Sequence, residues 1–344
     1  MKAAILENGK LEIKEVPKPT PKNEEALVRM ITAGVCHSDL HLVKGDWPRF
    51  VRPFPVPLGH EGIGIVEELG PGAEKFISKG DRVILGLGGA GGGYWCGACE
   101  YCLSGRPRLC KETKGIIGTY AEFISLWAKS LVKLPDKVSD QEVPLACGGL
   151  TAYSAVKKLI KYDVLPGKPV AIVGAAGGLG HYAVQIAKVF GYRVVGIDVG
   201  REKLDFIKSR GADYALDAGE AAQFVKEKFG GVYASIVFSS KLAGFELGLK
   251  LMKRGGVFIS VGMPAASEGS LSLSPLDLLA RDPLIMASAV GNVEEMRELV
   301  QLAADGKVKT HISRVANLSE LNQVFEELEK GAYSGRALIN NMTQ

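Results

Sequence analysis

Residues 170–198, VAIVGAAGGLGHYAVQIAKVFGYRVVGID, decide how this chain folds. An apolar run of strand length, Val170 to Gly174, leads through glycines into a helix pattern from Leu179 to Phe190, and a second strand ends at Asp198. Strand, helix and strand within about 30 residues make a βαβ unit. The glycines follow the strand directly and open the helix. In that setting a glycine turn lets a pyrophosphate approach backbone N–H groups at the helix N-terminus, so dinucleotide binding is expected at Gly174, Gly177 and Gly180. Alanine at Ala175 breaks the usual G-x-G-x-x-G pattern, which here carries one extra residue. Asp198, 18 residues beyond Gly180, stands where an acidic side chain accepts from both adenosine ribose hydroxyls and repels a 2′-phosphate, which favours NAD over NADP. Arg201 lies close enough to oppose that preference.

Outward from this unit the alternation continues: a helix from Arg201, a strand near Tyr214, a helix Ala221 to Phe229, the strand SIVF, a helix Phe245 to Lys253 and the strand VFISVG. Six parallel strands of a doubly wound α/β sheet fit this order. The first 145 or so residues read differently, as short β-branched runs broken by Gly and Pro: ALVRMITAGV from Ala26, GHEGIGIVEELGPG from Gly59, GDRVIL from Gly80 and YAEFISL from Tyr120. They predict an irregular, mostly β barrel-like domain. After Ile285 come helical patterns at Glu294 to Ala304 and Leu318 to Lys330, then a closing strand, RALIN, expected to return to the first domain. The expected division is residues 1–148 with 286–344 for one domain and 149–285 for the other.

A chain of 344 residues with 47% hydrophobic and 23% charged residues is large enough for two buried cores. Lys and Arg exceed Asp and Glu by 42 to 38, with the signs interspersed. That gives no basic stripe for a nucleic acid. Charge precedes any apolar run at the start, and nothing approaches a membrane span, so a cytoplasmic protein is expected. Glycine is high, at 43 residues, and serves turns and close backbone approaches.

Four of six cysteines fall at Cys96, Cys99, Cys102 and Cys110, a C-x2-C-x2-C-x7-C spacing. Such gaps let one loop fold four thiolates around a tetrahedral Zn²⁺; disulfides are disfavoured in a reducing compartment and an iron–sulfur cluster by missing partner motifs. A closed four-sulfur site stabilises a loop and takes no part in chemistry. Arg106, Arg108 and Lys111 stand beside it in sequence to offset its net negative charge. The other two cysteines, Cys36 in GVCHSDLH and Cys147 in PLACGGLTAY, are each readable as a buried small hydrophobe. With His60 of GHEG they also form the Cys–His–Cys set that leaves zinc one open position.

GVCHSDLHLVKGDWP, PLGHEGIGIVEELGPG, GDRV, the four-cysteine loop, CGGLTAYSAVK, VAIVGAAGGLGHYAVQIAK, GYRVVGID, AVGN and EKGAYSGRALI run in one order over the whole chain. In these motifs the chain resembles the zinc-dependent alcohol dehydrogenases of the medium-chain dehydrogenase/reductase family, closest to microbial ethanol-type enzymes. The resemblance implies a GroES-like catalytic domain joined to a Rossmann domain, two zinc ions per chain, and reversible hydride transfer between a small primary or secondary alcohol and NAD. It implies that Cys36, His60 and Cys147 ligate the catalytic zinc, that Glu61 is an adjacent or transient ligand, and that Asp39 orients His60. It further implies that Ser38 takes the substrate hydroxyl proton and passes it through the nicotinamide ribose to His41. Gly174, Gly177, Gly178, Leu179, Gly180, Asp198, Lys203, Val261, Val290, His37 and Arg336 are the implied cofactor contacts, Arg336 at the pyrophosphate. Trp47 is implied to narrow the substrate pocket, whose mouth the glycine-rich GLGGAGGGYW stretch can reshape. The resemblance also implies a homodimer or homotetramer acting on alcohol and aldehyde substrates. The alternatives are a polyol or amino-alcohol dehydrogenase of the same family, and a zinc-free quinone reductase or NAD-binding scaffold.

Overall fold

The computed structural model describes residues 1–7, 9–47, 55–86, 93–340 and 342. The chain divides into two compact units, one of Met1–Leu150 with Val290–Gln344 and one of Thr151–Ala289. Most of the GLGGAGGGYW stretch (87–92) and the segment following Trp47 lie outside the described residues.

The first unit opens with β1 (Lys2–Glu7) and β2 (Lys10–Glu15), antiparallel neighbours. Next come β3 (Glu25–Val35), the helix α1 (His37–Lys44), β4 (Val56–Pro57), β5 (Gly62–Leu69) and β6 (Arg82–Leu85). The cysteine loop carries the short helix α2 (Glu100–Leu103) and precedes β7 (Phe123–Trp127) and β8 (Leu131–Lys133). β2-β1-β4 form a small sheet. The long β3 is central to a larger one because its residues are buried at almost every position, which only a strand covered on both faces tolerates.

After α3 (Gly148–Lys161) the second unit is an alternation: β9 (Pro169–Val173), α4 (Gly180–Val189), β10 (Arg193–Asp198), α5 (Arg201–Ser209), β11 (Tyr214–Asp217), α6 (Ala218–Phe229), β12 (Val232–Val237), α7 (Leu242–Leu251), β13 (Met252–Ser260), α8 (Pro275–Arg281) and β14 (Leu284–Ala287). The sheet order is β11-β10-β9-β12-β13-β14, with every neighbouring pair parallel. This is the doubly wound sheet expected from the sequence, and β9 at its centre is buried at all five positions. Its carboxyl end, beside the reversal of strand order between β10 and β12, is where such sheets take their ligands.

The last segment returns to the first unit with α9 (Val293–Ala304), β15 (Ile312–Asn317), α10 (Leu321–Glu329) and β16 (Arg336–Asn340). α9 begins at a capping box in which Asn292 and Glu295 each accept from the other's backbone N–H, at 2.9 and 3.0 Å. Its buried face, Met296, Leu299 and Val300, has the i, i+3, i+4 spacing read from the sequence. β16 lies antiparallel beside β3, giving the order β15-β16-β3-β5-β6-β8 with β7 also on β3. The core of this unit joins Val28, Met30, Val83 and Leu85 to Phe325, Leu338's neighbour Ile339, and Tyr120.

The structure differs from the sequence reading at three joints. β14 continues to Ala287, and the compact unit to Ala289, past the expected boundary at 285. α7 stops at Leu251 and β13 starts at Met252, so Lys253 lies in a strand; the apolar run there satisfies both periodicities. α8 was not expected, because Leu276 and Leu279 are exposed and its apolar pattern marks no core face.

Candidate metal and dinucleotide sites

β3 ends between β5 and β16, with Ala33 opposite Gly62 on one side and Val35 opposite Ala337 on the other. Cys36 therefore leaves the end of β3 beside His60 and Glu61, which precede β5, and beside Arg336, which starts β16. Cys147 reaches the same point from the end of a 3-10 turn, Asp140–Ala146. The ligand atoms of Cys36, His60, Glu61 and Cys147 all lie within 4.8 Å of one another.

Burial and mutual contact split the two thiols. Hydrogen bonding to Cys147 draws Cys36 well below the usual thiol range, and the same contact pushes Cys147 well above it. Two thiols so placed share one proton unless a cation replaces it, and a metal that binds thiolate and imidazole fits this donor set. The imidazole is held for that purpose. Asp39 Oδ1 is 3.1 Å from His60 Nδ1, and Asp39 is itself fixed by Gly59 N–H at 3.3 Å and Tyr120 Oη at 2.9 Å. The carboxylate accepts a hydrogen bond from Nδ1–H, so Nε2 presents a lone pair.

Tyr120 is fully buried, and burial, then Asp39 beside it, raises its pKa well above the usual value; it remains a neutral hydroxyl. Sequence reasoning gave Tyr120 only as the start of a strand. A single tyrosine in an alternating run carries no signal that it meets an aspartate 81 positions earlier in the chain.

Glu61 is fully buried. Desolvation pushes its pKa up to about 7, with Arg336 pulling the other way. Arg336 Nη2 lies 2.6 Å from Glu61 Oε1 and donates to the Val35 carbonyl at 3.0 Å. Arg336 is 3% exposed. β16 carries the Arg336 guanidinium into the sheet end, where it pairs with Glu61.

The four-cysteine loop closes on itself. Cys99 and Cys102 sulfurs are 3.5 Å apart, Cys96 and Cys110 3.5 Å, and Cys96 and Cys102 4.0 Å. These are far beyond an S–S bond. They match the edges of a tetrahedron with 2.3 Å metal–sulfur bonds, about 3.8 Å. Backbone N–H groups of Ala98 and Cys99 bring Cys96 down to about 7, while desolvation and Cys99 push Cys102 up to about 12. As at the other centre, one thiol ionises and its neighbour resists until a dication joins them.

α1 carries the other predicted residues of this unit. Ser38 Oγ is 3.6 Å from Cys36 Sγ. His37 is exposed, and its ring centroid is 5.8 Å from that of His41. His41 Nδ1 is 2.7 Å from Asp46 Oδ2, a partner the sequence reading did not name, and the Trp47 ring stands 4.4 Å from His41. A glycine helix stop followed by Asp, KGD, is the signal that could have found Asp46.

In the second unit the glycine turn follows β9. Gly174 has φ +80°, and Gly180 packs so tightly that a Cβ would lie 2.1 Å from the Gly174 carbonyl oxygen. Gly177 is exposed at the turn, Gly178 and Leu179 are half-buried, and α4 starts at Gly180. Asp198 ends β10 beside this turn. Its Oδ2 accepts from Ala176 N–H at 3.0 Å, its Oδ1 accepts from Val199 N–H at 2.9 Å, and Lys203 Nζ is 3.5 Å from Oδ1. Val261 follows β13 and is buried. Val290, at the start of the returning segment, is buried with φ +50°, a strained backbone for a β-branched side chain.

One buried thiolate–imidazole centre with a tuned histidine, one closed sulfur site and one dinucleotide turn define a metal-dependent dehydrogenase. Comparison with known proteins agrees. Residues 22–136 match the alcohol dehydrogenase GroES-like domain and residues 178–305 the zinc-binding dehydrogenase domain. An alcohol dehydrogenase of Geobacillus stearothermophilus is 42% identical over 350 residues, covering 98% of this chain and 99% of that protein. One from Moraxella sp. is 36% identical, covering 99% of each. The crystal structure of the alcohol dehydrogenase from the hyperthermophilic archaeon Aeropyrum pernix superposes with a TM-score of 0.88 at 38% identity, over 99% of this chain and all of that one. The chain belongs to the zinc-binding alcohol dehydrogenase family.

Proposed function

We propose that this chain interconverts small primary or secondary alcohols and their aldehydes or ketones, with NAD as the hydride carrier. The observation that carries the reading is the convergence of Cys36, His60 and Cys147, with Asp39 on the far ring nitrogen of His60. Zinc supplies a Lewis acid that lowers the pKa of an alcohol hydroxyl, and NAD supplies the hydride acceptor.

The protein's own part is electrostatic. Two thiolates and a neutral imidazole cancel the charge of a dication without overfilling it, so the centre keeps its acidity. Asp39 and Tyr120 hold His60 in the ligating tautomer. Ser38 accepts the substrate hydroxyl proton and His41 delivers it to solvent, a task suited to an imidazole, whose two ring nitrogens can take up and give off protons. Trp47, packed on His41, limits the pocket to small substrates. Gly174, Gly177, Gly178, Leu179 and Gly180 receive the pyrophosphate, Asp198 with Lys203 at its side receives the adenosine ribose, and Val261 and Val290 are further cofactor contacts implied by the resemblance. His37 serves the cofactor phosphates.

Among the described residues no helix is long and apolar enough to cross a membrane. All six cysteines are free of disulfides, which supports a reducing cytoplasmic setting. Leu276 and Leu279, 77% and 86% exposed on α8, and the sheet edge at β14 support a homodimer or homotetramer.

A panel of ethanol, 2-propanol, sorbitol and threonine with NAD and with NADP, run beside zinc quantification, tests the reading. It expects the highest kcat/KM for the simple alcohols with NAD. A preference for sorbitol or threonine overturns the substrate assignment, and turnover without zinc overturns the mechanism.

A further inference from the structure

We propose that Asp46 is a positioning residue for proton transfer, fixing the tautomer and ring orientation of His41 so that Nε2 is the nitrogen that exchanges protons. The inference rests on the relay reading of His41 given above and adds a residue to it. Its basis is a loop built to bring Asp46 back onto the helix it has just left. α1 ends at Lys44, and Gly45 adopts φ +69°, a left-handed turn open to glycine. That turn reverses the chain so that Asp46 N–H donates to the His41 carbonyl at 3.0 Å while Gly45 N–H donates to the Leu42 carbonyl at 3.3 Å. With its backbone anchored there, Asp46 places Oδ2 2.7 Å from His41 Nδ1.

A carboxylate only accepts, so Nδ1 carries the hydrogen and Nε2 carries the lone pair. The ring cannot rotate freely away from this arrangement. Trp47, the next residue, sets its ring at 4.4 Å and 30° to the imidazole, and His37 on the preceding helical turn lies 5.8 Å off at 45°. Both His41 and Asp46 are mostly shielded, at 13% and 29% side-chain exposure, so their interaction is less screened than that of a surface pair. Among the described residues, Lys44 pairs with Glu329 of α10 and also feels the charge of Asp46, and the carboxylate in contact with the imidazole is Asp46.

The proton balance is simple. Nε2 takes one proton from the relay as Nδ1 keeps its own, the imidazolium formed is stabilised by Asp46, and Nε2 then releases the proton to water. No net charge accumulates and no other reagent is needed.

The test is a double-mutant cycle in the zinc-loaded enzyme with NAD and ethanol, reading single-turnover hydride transfer and its solvent isotope effect at neutral pH. His41→Gln and Asp46→Asn are each expected to slow the step by about tenfold or more, as loss of a proton-transfer group and of the group that holds it. The double variant is expected to be no slower than His41→Gln alone, because the two side chains act as one unit. Asp46→Glu, which keeps the acceptor-only carboxylate, is expected to retain more of the rate than Asp46→Asn, whose amide can also turn a donor to the ring. Losses that multiply in the double variant, or a normal rate in Asp46→Asn beside a slowed His41→Gln, overturn the positioning role. A normal rate in His41→Gln overturns the relay reading itself, and the proposal with it.

Discussion

Replacing Gly180 with alanine isolates the dinucleotide turn from the metal centres. The added Cβ would stand 2.1 Å from the Gly174 carbonyl oxygen, 2.6 Å from Ala175 Cα and 2.8 Å from the Ala175 carbonyl carbon. All three are backbone atoms at the β9–α4 junction, so no side chain can swing aside. Relief to the 3.0 Å floor requires the helix start to move at least 0.9 Å from the strand end. Overpacking of this kind costs about 1–3 kcal/mol, and any part of it that appears only when the turn must close on a pyrophosphate weakens binding by about tenfold per 1.4 kcal/mol. The assay is NADH fluorescence titration of the purified variant, with zinc content measured on the same sample. The expected result is a Kd raised by about tenfold or more with both zincs retained, since the metal ligands lie in the other compact unit. Wild-type NADH affinity in Gly180→Ala would refute the assignment of this turn to the cofactor.

Three further outcomes follow from the same geometry. Cys102→Ser opens a metal-closed loop whose outer ligands, Cys96 and Cys110, are 14 positions apart; by analogy with a cross-link of that size it costs about 3 kcal/mol, lowering the melting temperature while folded molecules keep most of their kcat, and an intact melting temperature contradicts it. Asp39→Ala leaves His60 without its Nδ1 acceptor and is expected to weaken catalytic-zinc affinity by about 10–100-fold in a chelator competition, whereas unchanged affinity would show that the hydrogen bond does not serve ligation. Burial raises the Glu142 carboxyl above its usual range, against the pull of Thr310 N–H and Oγ1, so the folded chain holds a proton that the unfolded chain releases near pH 4.5. That stabilisation is full below the unfolded value and is lost as pH rises through the folded one. The melting temperature of Glu142→Gln should therefore gain on wild type as pH rises from 4.5; a difference that stays constant contradicts the sign.

The three sites differ in how far the sequence discloses them. The glycine turn and the four-cysteine loop are local: strand, turn and helix follow one another from Pro169 to Val189, and two-residue gaps set sulfur spacing directly. Cys36, His60 and Cys147 are joined only through sheet order, with β3 between β5 and β16, and no periodicity encodes that. Family resemblance was needed to put them together. Asp46 and Tyr120 went unnamed because each acts through one hydrogen bond whose partner is set by a turn or by a distant strand. Arg336 is read at the pyrophosphate from the resemblance, and the structure adds a contact to the buried carboxylate of Glu61 that no local pattern announces, because sequence shows a charge but not its burial. β2 and α8 were missed for a simpler reason: their exposed faces break the apolar pattern by which elements are recognised.

The most direct measurement is zinc per chain, by elemental analysis, in the wild-type protein and in Cys36→Ser and His60→Ala. Two zincs are expected in the wild type, one for each donor cluster. Each variant should keep the ion of the four-cysteine loop, lose the other, and lose alcohol turnover with it. A variant that retained both zincs and full turnover would contradict the assignment of Cys36 and His60 to the reacting metal.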